Sequence, residues 1–113
     1  MQLEDFQNLA AQLKGTTEDI KWENHLCFCV AGKMYAILSM DVQPITISFK
    51  VADEDFEQMA AQNGFIPAPY LARNKWVYCK DANLVPPRKW KEYLANSYEL
   101  VKAKLPKKIQ QGL

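Results

Sequence analysis

His25, Cys27 and Cys29 are the most reactive side chains that this sequence sets close together, and His25 is its only histidine. On a strand, residues two apart turn their side chains to one face. A thiol–imidazole pair or a zinc site is the chemistry such a trio could perform. The same spacing argues against both. Alternate residues on a strand stand about 7 Å apart, whereas zinc draws three or four ligands onto one point. No activating residue stands beside Cys27 and His25, and a small buried cysteine is the commoner use of such positions. The remaining candidates are weaker. Glu18 and Asp19 fall in a connector, and Asp53, Glu54 and Asp55 fall at a helix start, where the helix dipole favours carboxylates. The four glycines are not grouped into a phosphate loop. No catalytic residue, metal ligand or cofactor is assigned, and the expectation is a protein that is not an enzyme.

The cations carry more information. Residues 1–60 hold a net charge of −6 and residues 61–113 a net of +7, which together give the +1 of the whole chain. Such asymmetry suits an anionic partner for the second half, or mutual attraction of the halves within the fold or a dimer. Lys33 falls at a hairpin tip, and Arg73 and Lys75 flank Asn74 at another turn. Two basic tips can track phosphates as paired wings. Arg88, Lys89 and Lys91 begin a helix; Lys102, Lys104, Lys107 and Lys108 crowd its end, where cations also complement the dipole.

The elements that must position these residues follow from periodicity. Leu3, Phe6, Leu9, Ala10 and Leu13 predict a first helix over 2–14, closed by Gly15. Thr16 to Asn24 reads as a polar connector containing Trp22. From His25 the period becomes two, with a hairpin turn at Ala31-Gly32-Lys33. ITISFKV (45–51) alternates most clearly, with Thr46, Ser48 and Lys50 on its polar side. Asp53 is the expected N-cap of a second helix that Asn63-Gly64 ends. Short strands are expected near Pro69–Ala72 and Lys75–Lys80, with Arg73-Asn74 as the turn. Trp90, Leu94, Ser97, Tyr98, Val101 and Leu105 line a third helix that begins at Pro87 and stops at Pro106, leaving 106–113 as a frayed tail. Trp22, Tyr70 and Trp76 are expected to support the structure by packing. The order α-β-β-β-α-β-β-α gives a two-layer α+β domain over 1–113, with helices on one face of a five-stranded antiparallel sheet. No apolar run reaches the length of a membrane span. The N-terminus lacks the pattern of a signal peptide. The odd number of cysteines suits a reducing compartment, so a cytoplasmic location is expected.

EDIKWENHLCFCVAGKMYAIL (18–38), ISFKVADEDFEQM (47–59), GFIPAPYLARNKWVYC (64–79) and SYELVKAKLPKK (97–108) resemble, in order and spacing, the MmcQ/YjbR-like family. The resemblance implies a CyaY-like, secretion-chaperone-like architecture with a curved five-stranded sheet. It also implies double-wing binding of double-stranded DNA, with wings at Gly32-Lys33 and at Arg73, Asn74 and Lys75. That function requires Lys33, Lys50, Arg73 and Lys75 to gather on one surface, away from the acidic helix after Asp53. With no base-reading helix in view, phosphate contacts and weak sequence preference are expected. The alternative is a protein-interaction module, monomer or homodimer, that docks a partner on the open sheet face around His25, Cys27 and Cys29. Iron binding in the manner of frataxin ranks last, because the first helix offers only Glu4 and Asp5 where an acidic ridge is needed.

Overall fold

The alternating apolar residues of the middle of the chain become the inner face of a sheet. In a computed structural model, which describes all of residues 1–113, the chain forms a six-stranded antiparallel sheet. Its strands are β1 (Thr16–Lys21), β2 (His25–Val30), β3 (Lys33–Ser39), β4 (Ile47–Lys50), β5 (Phe65–Pro67) and β6 (Trp76–Cys79), in the order β1-β2-β3-β4-β6-β5. The helices are α1 (Leu3–Ala11), α2 (Phe56–Ala60), α3 (Pro87–Lys102) and α4 (Lys107–Gln111).

Strand register sets the core. Leu26, Leu38, Ile47, Cys79 and Phe65 fall in one row across the sheet, and Phe28, Ala36, Phe49 and Val77 in the next. α3 lays Trp90, Leu94 and Tyr98 over these rows, and α1 adds Phe6 and Ala10. Trp90 is fully buried, its Nε1 donates to the Ala82 carbonyl at 2.8 Å, and Phe6, Phe49 and Tyr93 meet its ring edge to face.

Ser97 performs a task that no apolar residue could. Direct pairing of β3 with β4 runs from Leu38↔Ile47 to Ala36↔Phe49. At the next position the Ser97 hydroxyl enters from α3, accepts from the Lys50 backbone N–H at 3.0 Å and donates to the Tyr35 carbonyl at 2.6 Å. It thus bridges two backbone groups that would otherwise be buried without partners. Ser97→Ala is expected to lower stability by about 2–4 kcal/mol, since both groups lose their bond. Chemical denaturation of the two proteins measures the difference, and a loss below about 0.5 kcal/mol would show that water replaces the hydroxyl.

Several expectations are corrected. The connector Thr16–Asn24 contains a strand, β1, so the sheet has six strands and not five. As an edge strand β1 buries no residue, and its sequence TTEDIK carries no apolar alternation to reveal it. The strand expected at Pro69–Ala72 lies earlier, at Phe65–Pro67, where an edge position tolerates Pro67; Ala72–Asn74 is instead a 3-10 turn. Asp53 is not a side-chain cap: Asp53–Asp55 form a 3-10 turn that leads into α2. α3 ends at Lys102, and the tail beyond Pro106 folds as α4. The Gln110 amide donates to the Leu105 carbonyl at 2.6 Å. Leu113 lies so near Gly15 (φ +81°) that a Cβ there would come within 2.6 Å of it.

Candidate nucleic-acid interface

Both hairpin connections leave the sheet at the same end. β2 turns into β3 through Ala31 (φ +49°) and Gly32 (φ +78°), the two positive φ values of a type I′ turn, and Lys33 follows it exposed. β4 ends beside the start of β3, and the Lys50↔Trp76 pairing carries that end on to the start of β6. The segment 68–75 that joins β5 to β6 therefore returns at the level of the first hairpin. It exposes Arg73 and Asn74, with Lys75 half-buried and left-handed at φ +65°.

The helices bring further cations to this end. The connection from α1 to β1 carries Lys14, whose carbonyl accepts from the Tyr98 hydroxyl. Lys102 comes from the end of α3, Lys104 from the turn after it, and Lys107 and Lys108 from α4. Nine of the 14 Lys and Arg residues thus lie here: Lys14, Lys33, Lys50, Arg73, Lys75, Lys102, Lys104, Lys107 and Lys108. None is in an ion pair; the two pairs of the chain, Lys21–Asp19 and Lys89–Glu92, involve other residues. The sequence explains Lys102 to Lys108 by the dipole of α3, and only the strand order places them beside the wings.

Lys50 differs from the other expected contacts. It is only 7% exposed and its ammonium donates to the Asn74 carbonyl, so it braces the second wing from inside. Burial, then Lys104, pushes its pKa down, and Asp53 opposes the shift. The acidic stretch is thus not remote from this end, as the sequence-based requirement demanded. Lys75 also reaches across it, with Nζ 5.1 Å from the centroid of the Phe56 ring. Trp76 is buried behind the wing.

Two expected supports do not pack. Tyr70 is 100% exposed in a left-handed turn (φ +66°), and Trp22 is 62% exposed at the tip of the β1–β2 hairpin, edge to face with His25. Neither had an alternating neighbourhood that could place it inside. Ile20, Trp22, Met40 and Val42 together expose apolar surface at the opposite end of the sheet.

The two cysteines of the reactive trio lie inside the fold. Cys27 and Cys29 are buried, and no group of three His, Cys, Asp or Glu side chains is placed to hold a metal ion. Burial, with Cys29 adding, pushes the Cys27 thiol up to about 11, far from a nucleophilic thiolate at neutral pH. Burial likewise raises Tyr35 to about 12, and the Cys29 and Cys79 thiols also rise. A raised folded-state pKa means that the unfolded chain releases its proton first, so stability falls as pH climbs through the interval. The melting temperature is expected to hold up to about pH 9 and to fall between the ordinary thiol value of 9.0 and about 12. A melting temperature that rises across that range would contradict this burial.

Comparisons with known proteins agree with the fold. The model of the family described as YjbR matches residues 11–100. Deinococcus radiodurans protein DR2400, of the domain family DUF419, superposes with a TM-score of 0.87 at 24% identity, covering 97% of this chain and 86% of that one. A Pseudomonas syringae protein superposes with a TM-score of 0.71 at 20% identity, covering 88% of this chain and 98% of that one. No curated protein matches the chain significantly.

Proposed function

This chain belongs to the YjbR family, and from that premise we propose that it binds double-stranded DNA through phosphates at the basic end of its sheet. The observation that carries the reading is the convergence of the two hairpin connections, with exposed Lys33 on one and Arg73 and Asn74 on the other, among cations that form no ion pair. The wing centres are three strand positions apart, because β4 intervenes between β2–β3 and β6–β5. At about 4.8 Å per strand that is about 14 Å. This matches the major groove, about 12 Å wide, better than the minor groove at about 6 Å. Neither wing carries an α-helix to read bases, so contact is with the backbone and sequence preference is weak.

Fluorescence anisotropy of a labelled duplex of about 25 base pairs, titrated at several salt concentrations, tests the reading. Micromolar binding that weakens log-linearly with salt supports it, with a slope near −0.9 for each phosphate contacted. Absence of binding at about 20 mM salt, where such contacts are strongest, would refute it.

A protein-docking role has one specific observation in its favour, and it is not the face around Cys27 and Cys29, which are buried. Ile20, Trp22, Met40 and Val42 form exposed apolar surface at the far end, and Trp22 and Glu23 hold left-handed backbone there at φ +52° and +68°. Strained backbone persists where its surroundings over-determine it, which is common at binding sites. Light scattering across protein concentrations tests self-association through this end.

A further inference from the structure

Phosphate tracking by exposed wings leaves Lys50 unexplained. A lysine ammonium has three N–H donors and no acceptor. Lys50 is buried, and its ammonium's one hydrogen bond is to the Asn74 carbonyl, which leaves two donors without a partner in the protein. Its other neighbours worsen the position. Lys104 and Lys75 both act on it electrostatically as like charges, and neither side chain can accept a bond. Asp53 is the one carboxylate that acts on Lys50, and it forms no ion pair with it. A buried ammonium surrounded by like charge is costly, and an apolar side chain at position 50 would be cheaper. An anion between these ammoniums would supply both the acceptors and the opposite charge.

We propose that Lys50, Lys75 and Lys104 form a seat for a single phosphate group, the point at which one phosphate of the ligand is held most firmly. The proposal rests on the phosphate-binding reading of this end and adds a specific contact to it. The seat is preorganised. Lys50 is fixed by burial and by Asn74. Lys75 is fixed by the Phe56 ring beneath its ammonium and by its left-handed backbone, which a non-glycine residue holds only when its surroundings require it. Lys104 lies exposed at the rim, where it can close over a bound anion. A site whose donors are already in place loses little conformational freedom on binding.

NMR of the lysine ε-CH₂ groups in the full chain tests this, with inorganic phosphate and pyrophosphate as probes. The Lys50 signal is expected to shift saturably, and its titration midpoint to move upward, because a bound anion favours the charged ammonium. Lys104→Gln, an exposed substitution that leaves the core intact, is expected to weaken phosphate binding by about tenfold, the loss of one charge-assisted contact. Lys80→Gln, outside the seat, is expected to change it little. Oligonucleotides with and without a 5′-phosphate separate the sources. Preference for the phosphorylated form assigns the seat to a terminal or free phosphate, and equal perturbation of Lys50 by both assigns it to the phosphodiester backbone. A Lys50 signal unmoved by every probe, or unchanged binding in Lys104→Gln, would overturn the seat. Duplex binding with a silent Lys50 rejects the seat and leaves the wing reading standing. Phosphate binding without duplex binding keeps the seat and rejects the DNA reading.

Discussion

Reversing charge on both wings at once, in a Lys33→Glu/Arg73→Glu variant, is expected to weaken duplex binding by at least about a hundredfold at 50 mM salt. The estimate follows from counterion release: losing two phosphate contacts removes about 1.8 from the magnitude of the salt slope, which at that salt is about two orders of magnitude in affinity. Both residues are exposed and unpaired, so the fold should survive the change. Lys75 is a poorer choice because its ammonium rests on Phe56 and its loss would disturb packing. Arg88→Glu/Lys91→Glu, at the start of α3 and far from the wings, changes net charge equally. It should cost several-fold at most, through long-range attraction. Equal losses from the two pairs, in anisotropy titrations at matched salt, would show that only overall charge matters.

Trp90→Ala is expected to be the most damaging single substitution for the fold, at about 3–5 kcal/mol. Trp90 is fully buried at the crossing of α1, α3 and β4. Its removal leaves a cavity, ends three edge-to-face ring contacts and takes from the Ala82 carbonyl one of the two hydrogen bonds it accepts, leaving that from the Val85 N–H. A domain of this size has about 6–17 kcal/mol of stability in all, so a large share would be lost. Trp90→Phe should recover part of the ring contacts but not the hydrogen bond. Urea denaturation followed by circular dichroism would rank the three proteins, and a Trp90→Ala loss under about 1 kcal/mol would mean that this site is not the keystone of the core.

Much of the fold was legible in apolar residues two apart on the strands and three or four apart on the helices. Leu26, Phe28 and Val30, then Ile45, Ile47, Phe49 and Val51, alternate because α1 and α3 cover one side of the sheet, and the helical spacing of Trp90, Leu94 and Tyr98 marks the element that does so. β1 was illegible for the complementary reason: an edge strand exposed on both faces shows no alternation, and TTEDIK becomes a strand through pairing with β2. The family was legible too, since the motifs that suggested it fall largely within the matched residues 11–100. The candidate site was legible only as pieces. Alternation places Lys50 on the polar side with Thr46 and Ser48, but its ammonium bonds Asn74, far along the chain. Likewise, no local signal in Lys33 or Arg73 says that their turns share one end of the sheet. That is a property of the order β2-β3-β4-β6-β5, which is settled by tertiary pairing.

The most direct test is therefore spatial. Backbone amide NMR of the labelled protein, titrated with an unlabelled duplex at low salt, reports which residues the DNA meets. Gly32, Lys33, Arg73, Asn74 and Lys75 are expected to shift together with one affinity, while Ile20, Trp22 and Val42 at the far end stay fixed. Shifts centred on the far end, or on one wing without the other, would contradict a two-winged phosphate-binding surface.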